Sequence, residues 1–164
     1  MKKILLAVLI TSIITACNSP FDKEVDISQK QDRNGIVYVV NGEKPFSGKM
    51  IGKYENGQIE VSEIYKDGKF NGEQASYYSN GQIKEKATYD MGVPVGEYVK
   101  YYSNGTVAYK GSYVNGVKDG DWNIYNDKNE LLITKKYQNG ELVNIEQHVV
   151  DVDGLKSKIE SLFN

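Results

Sequence analysis

Glycine recurs every 24 residues through the middle of this chain, at Gly48, Gly72, Gly96 and Gly120. A tyrosine follows each at one fixed distance, at Tyr65, Tyr89, Tyr113 and Tyr137. A second glycine lies three residues beyond each tyrosine, at Gly68, Gly92, Gly116 and Gly140. A period between about 20 and 50 residues marks a repeat architecture, in which each unit packs on its neighbours alone. Such a chain presents a surface more readily than it encloses a reaction chamber.

Each unit carries two turn signals. One is Asn56-Gly57, Asn80-Gly81 and Asn104-Gly105, degenerating to Lys128-Asn129. The other is Asp67-Gly68, Met91-Gly92, Asn115-Gly116 and Asn139-Gly140. Asn-Gly and Asp-Gly suit two-residue type I′ turns, whose central residues both need positive φ. Successive turn glycines are spaced alternately 11 and 13 residues apart. The spacing predicts an all-β fold, an elongated up-and-down antiparallel meander of about ten strands from near Ile36 to near Val149.

Register follows from the turns. With Asn80-Gly81 as a two-residue turn, Tyr78 faces Ile83, and the ladder continues to Gly72 opposite Tyr89. Tyr78, Ile83, Ala87 and Tyr89 then share one face, with Tyr77, Ala75, Lys84 and Lys86 on the other. A glycine opposite each periodic tyrosine makes room for its ring. Inward aliphatics are too few for a two-layer sandwich, so a single twisted sheet is expected, with a closed barrel as the alternative. Extra apolar residues in the last unit (Trp122, Ile124, Leu131, Leu132, Ile133) suit a terminal unit that must be covered.

The two ends read differently. Lys2 and Lys3 precede an apolar run from Ile4 to Ile14, too short to span a bilayer stably, so residues 1–16 read as an export signal. Ile14-Thr15-Ala16-Cys17 resembles the bacterial lipobox, which implies lipidation (palmitate-type acylation) at Cys17 and anchorage of the folded part outside the cytoplasm. Cys17 is the single cysteine and has no disulfide partner within the chain. Asn18 rather than Asp beside it fits outer-membrane sorting in a Gram-negative cell. Residues 17–34 are polar and read as the lipidated start and a flexible tether, residues 35–150 as the repeat domain. From 151 to 164, Leu155, Ile159, Leu162 and Phe163 fall at helical spacing behind Asp153 as N-cap. That short amphipathic helix is expected to fold back on the sheet rather than lie on a membrane.

Loss of Lys2 and Lys3 with the signal leaves 18 basic against 22 acidic side chains. Without a basic surplus, nucleic-acid binding has no electrostatic foundation, and anionic headgroups are disfavoured too.

The pattern Gly-x₄-Tyr-Tyr-x-Asn-Gly-x₇-Tyr-x-x-Gly is carried by Gly72, Tyr77, Tyr78, Asn80, Gly81, Tyr89 and Gly92. Gly96, Tyr101, Tyr102, Asn104, Gly105, Tyr113 and Gly116 repeat it. It resembles the variant MORN repeat of bacteria, from about Asn41 to Val143, and the arrangement is similar to MORN-repeat proteins grouped as antitoxin or immunity proteins. The resemblance implies a protein partner, with a toxin as one such partner. The lipobox departs from an intracellular antitoxin, because a lipoprotein meets toxin only outside the cytoplasm.

Chemistry is sparse. A kinase is not supported, since neither a Gly-x-Gly-x-x-Gly loop nor a His-Arg-Asp segment occurs. His148, the single histidine, is expected to face solvent on the last strand. Asp151, Asp153 and Glu160 match part of an EF-hand loop, but its first position falls on Val149, which cannot ligate calcium, so capping and turn formation are preferred. No catalytic, cofactor-binding or metal-ligating set is expected. The candidate partner-binding residues are Tyr77, Tyr101 and Tyr125, flanked by Lys53, Lys84, Lys86 and Lys110, because tyrosine covers much area with few rotors. These observations point to a non-catalytic, envelope-anchored protein-binding module. The alternative is a structural envelope component that contacts peptidoglycan or other lipoproteins.

Overall fold

The computed structural model describes residues 23–148. The signal, Cys17, the start of the tether, the calcium candidates and the C-terminal helix lie outside the described residues. Thirteen strands run in chain order: β1 (Glu24–Asp26), β2 (Lys30–Arg33), β3 (Ile36–Val39), β4 (Gly48–Lys53), β5 (Ile59–Lys66), β6 (Lys69–Phe70), β7 (Gly72–Tyr77), β8 (Ile83–Asp90), β9 (Val93–Tyr101), β10 (Val107–Val114), β11 (Val117–Tyr125), β12 (Leu131–Gln138) and β13 (Glu141–Gln147). From β4 to β13 they form the expected up-and-down antiparallel sheet, each strand beside the next, with short β6 paired to β5. Among the described residues the path does not close on itself, so their sheet is open rather than a barrel.

The two turn sets differ in kind. At Asp67-Gly68, Met91-Gly92, Asn115-Gly116 and Asn139-Gly140 both residues have positive φ, as type I′ requires. At Asn56-Gly57, Asn80-Gly81 and Asn104-Gly105 only the glycine does. There the Gly81 N–H donates to the Tyr78 carbonyl and the Tyr78 N–H to the Gln82 carbonyl, both at 2.8 Å. That is a three-residue loop with a left-handed glycine, and it shifts the register by one. Tyr77, not Tyr78, therefore opposes Ile83. A bulge between Ser76 and Tyr77 cancels the shift, and the ladder arrives at Gly72 opposite Tyr89 as expected. In the last unit Asn129 takes the glycine's place at φ 66°.

All four periodic pairs form: Gly48 opposite Tyr65, Gly72 opposite Tyr89, Gly96 opposite Tyr113, Gly120 opposite Tyr137. At Gly48 an added Cβ would collide with the Lys23 carbonyl and the Phe46 ring, but at the other three the reason for glycine is not room for a ring. A Cβ on Gly96 or Gly120 would meet nothing within 4 Å, and one on Gly72 would make ordinary contact with Ile64. What these positions demand is backbone shape, with φ of 109°, 69° and 72° at Gly72, Gly96 and Gly120. Beside Gly96 and Gly120 the register to the preceding strand slips, between Ala87 and Thr88 and between Lys110 and Ser112. The same slip separates β6 from β7 on β5 around Gly72. The units of Gly72, Gly96 and Gly120 thus bend their strands at a glycine bulge.

Residues 23–34 are not a tether. β1 joins β4 in parallel, and β2 and β3 form a hairpin through Asn34-Gly35, a type I′ turn with φ of 55° and 79°. Sparse apolar residues suffice to fix this segment, because Val25 and Ile27 pack on a buried cluster of Val37, Phe46, Met50 and Tyr65. Asp26 also caps a 3₁₀ turn at Ile27–Gln29 through a 2.8 Å bond from the Ser28 N–H. The segment covers the first unit. At the other end Trp122 is fully buried, while β13 is exposed along its length. His148 is half-buried rather than facing solvent; its Nε2 lies 2.9 Å from Thr134 Oγ1, and its N–H donates to the Leu132 carbonyl.

Candidate binding surface

Three hydrogen-bond ladders lock the units into one body. The hydroxyls of Tyr54, Tyr78 and Tyr102 donate to the carbonyls of Tyr77, Tyr101 and Tyr125 in the next unit, at 2.7, 2.8 and 2.8 Å. The amides of Asn56, Asn80 and Asn104 donate to the carbonyls of Ser79, Ser103 and Asp127. The turn glycines Gly68, Gly92, Gly116 and Gly140 donate back to the carbonyls of Phe46, Phe70, Pro94 and Lys118. The asparagine before each loop glycine is therefore a clip rather than a source of positive φ. Its Oδ1 also accepts from the backbone two residues on, as in Asn80 to Gln82 at 3.0 Å.

Tyr77, Tyr101 and Tyr125 sit at the ends of β7, β9 and β11, one per unit, and all three are half-buried. Their carbonyls accept the hydroxyls of Tyr54, Tyr78 and Tyr102. Their rings pair with no other aromatic ring among the described residues. Of the flanking lysines, Lys110 stands over Tyr125 at 5.6 Å, whereas Lys84 stands over Tyr78 at 5.9 Å. The structure places the three candidates one per unit at equivalent strand ends, with no ring pairing between them.

A denser aromatic row lies on the face of the periodic tyrosines. Phe46, Tyr65, Phe70 and Tyr89 follow one another with ring centres 6.0, 4.9 and 5.2 Å apart. Further along, Tyr98, Tyr109, Tyr113 and Tyr137 surround Trp122 at 4.9–6.2 Å. The signal for this row was present: Phe46 and Phe70 are 24 residues apart, as are Tyr98 and Trp122. Burial pushes the Tyr65 phenol well above its ordinary range, helped by its 2.7 Å bond to Glu63. Tyr98 is raised by burial and by the charge of Glu85. Lys118 is held protonated: burial opposes its charge, but the bond to the Tyr109 hydroxyl and the surrounding phenols outweigh it.

Two hollows open on this face. One, of about 430 Å³, lies between the β2–β3 hairpin and the sheet and is lined by Lys30, Val37, Phe70, Met91 and Val93. The other, of about 130 Å³, lies between Val61, Glu63, Gln74, Glu85, Ala87 and Tyr89. Among the described residues, no group of three or more His, Cys, Asp or Glu stands together to hold a metal ion.

Residues 47–67, 70–91 and 94–115 each match the family model described as the MORN repeat variant. The chain carries three consecutive MORN variant repeats. The matched copies hold the units with complete Asn-Gly loops, and the match stops before the unit in which Lys128-Asn129 replaces that pair. No curated protein matches the chain. MORN repeats commonly serve as protein- or membrane-binding modules, in keeping with a non-catalytic binding role for this sheet.

Proposed function

We propose that this MORN-repeat chain is an envelope-anchored, non-catalytic module that binds another protein, with the sheet held outside the cytoplasm by acyl chains on Cys17. The observation that carries the binding role is the clipped sheet itself. Tyrosine, asparagine and glycine ladders fix every unit to the next, so partner contact orders little backbone. On that frame, half-buried tyrosines and two hollows offer area with few rotors to immobilise. The anchor rests on Ile14-Thr15-Ala16-Cys17, an aliphatic residue and two small ones before the single cysteine.

A toxin met outside the cytoplasm is the partner class that the antitoxin resemblance favours. Capture from envelope extract tests the reading: a stoichiometric protein on the wild-type chain, reduced by combined alanine substitution of Tyr77, Tyr101 and Tyr125, supports it. Sedimentation with purified sacculi and no protein captured would support the structural envelope role instead. The anchor is tested separately by incorporation of labelled palmitate, expected in wild type and lost in Cys17→Ser.

A further inference from the structure

The aromatic row is covered by a lysine at each end and by none in the middle. Near the amino-terminal end, Lys30 Nζ lies 5.6 Å from the ring centres of both Tyr65 and Phe70, and 2.8 Å from Glu63 Oε2. At the far end, Lys118 Nζ stands 4.4 Å from the Trp122 ring and 5.2 Å from that of Tyr137, with the Tyr109 hydroxyl at 2.9 Å. Both sites use one recipe: an ammonium resting on π-faces, its charge met by an oxygen.

Between them lies the cavity of about 130 Å³, lined by Tyr89 and Glu85 and bordered by Glu63, whose carboxylate already holds Lys30. It is open because of the local sequence. At the repeat position of Gln74 the other units carry Met50, Tyr98 and Trp122, and Met50 and Trp122 are fully buried. Gln74 instead turns its amide to the backbone of Ile64, donating to the carbonyl and accepting from the N–H, both at 2.9 Å. The wall is completed by Ala87, too small to fill the gap. Among the described residues no lysine stands over the Tyr89 ring, and Glu85 makes no ion pair. Its cross-strand neighbour Lys100 is exposed and is not paired with it. Glu85 is half-buried, and its charge reaches the Tyr98 phenol.

We propose that this middle cavity receives one lysine side chain of a partner protein, with its ammonium beside Glu85 and its methylene stem along the Tyr89 ring. The chain's own Lys30 and Lys118 show the fit twice. A compact ammonium on a slender stem suits the narrow space better than a planar guanidinium. The inference rests on the protein-binding reading and names the chemistry of one contact within it.

The test is a chemical-shift titration of the ¹⁵N-labelled full chain with two peptides, acetyl-Gly-Lys-Gly-amide and acetyl-Gly-Gln-Gly-amide, and with butylamine. Saturable shifts confined to residues around Glu85, Tyr89 and Tyr98, seen with the lysine peptide and absent with glutamine, are expected. Glu85→Gln should weaken them at least about tenfold, the scale of one lost charge-assisted contact. Equal shifts from both peptides, none from either, or an unchanged response in Glu85→Gln would overturn the assignment. Butylamine carries the same ammonium and stem and should shift the same residues; a response to the lysine peptide with none to butylamine would place the contact on the peptide backbone and overturn the assignment. The comparison of peptides on the wild-type chain stands even where Glu85→Gln misfolds. A failed peptide alongside successful capture from extract removes this site alone, whereas failure of both removes the binding module.

Discussion

The indole of Trp122 lies against the backbone of Gly111, so closely that a methyl group on that glycine would overlap Cγ, Cδ2 and Cε2 of the ring. Gly111 falls where β10 and β11 slip past each other, and the ring fills the space the slip creates. Gly111→Ala must therefore displace a fully buried tryptophan together with the tyrosines around it. Overpacking of this kind is expected to cost about 2–3 kcal/mol. Denaturant unfolding followed by the fluorescence of Trp122, the chain's single tryptophan, reads both the loss and the ring's changed environment.

The hydroxyl ladder should contribute in equal steps. Tyr78→Phe removes a 2.8 Å bond to the Tyr101 carbonyl and little else. A loss of about 1 kcal/mol is expected, because that carbonyl regains partial access to water. Tyr54→Phe and Tyr102→Phe should cost about the same, since their bonds are equivalent. A midpoint unmoved in all three variants would show that the units are held by strand pairing and the asparagine and glycine ladders without the hydroxyls.

Much of this architecture could be read from spacing, because a period repeated four times averages out local ambiguity. Gly72 opposite Tyr89 followed from counting between turns, even though the turn geometry was different, since loop and bulge shift the register in opposite senses. Such compensation leaves no mark on a glycine count. The hairpin before Gly48 was hidden for another reason. It lies outside the period, and its apolar content is a few residues that matter only once Phe46 and Tyr65 are beside them. The middle cavity was only half readable: the change from Met50, Tyr98 and Trp122 to Gln74 stands in the sequence, but the turn of its amide toward Ile64 does not. Tyr77, Tyr101 and Tyr125 were legible as a series, but that their carbonyls accept the hydroxyls of the preceding unit was not.

Two explanations of the 24-residue glycines separate experimentally at Gly96. If ring space governed the position, any side chain would be barred equally. Since an added Cβ meets nothing within 4 Å and φ is 69°, only backbone strain applies. Gly96→Ala should cost about 1–2 kcal/mol, and Gly96→Asn distinctly less, because asparagine tolerates the left-handed region. Thermal unfolding of the two variants checks the order.

Alkaline stability follows from the buried phenols. Tyr65 and Tyr98 are both raised above the ordinary value of 10.0, first by burial and then by Glu63 and Glu85 respectively. A raised folded-state value favours the protonated phenol in the native sheet. The stabilisation is therefore complete below pH 10 and is lost as pH climbs beyond the unfolded value toward the folded one. Denaturant midpoints should be flat on this account up to pH 9.5 or so and fall above about 10. In Tyr65→Phe that alkaline fall should be shallower, as one of the raised phenols is gone while Tyr98 and Tyr113 remain.

Whether residues 23–34 are packed or loose can be decided at Lys30. Its ammonium bonds to Glu63, which is 13% exposed and also accepts from the Tyr65 hydroxyl, so the pair joins the hairpin to the covered end of the sheet. Lys30→Met keeps most of the stem over Tyr65 and Phe70 but leaves the Glu63 carboxylate with the phenol alone. A cost of about 1 kcal/mol is expected, below that of a fully buried pair because Lys30 is partly exposed. Glu63→Gln combined with Lys30→Met should recover part of it, since the uncompensated charge is then removed. A loose tether would leave the denaturant midpoint of Lys30→Met at the wild-type value.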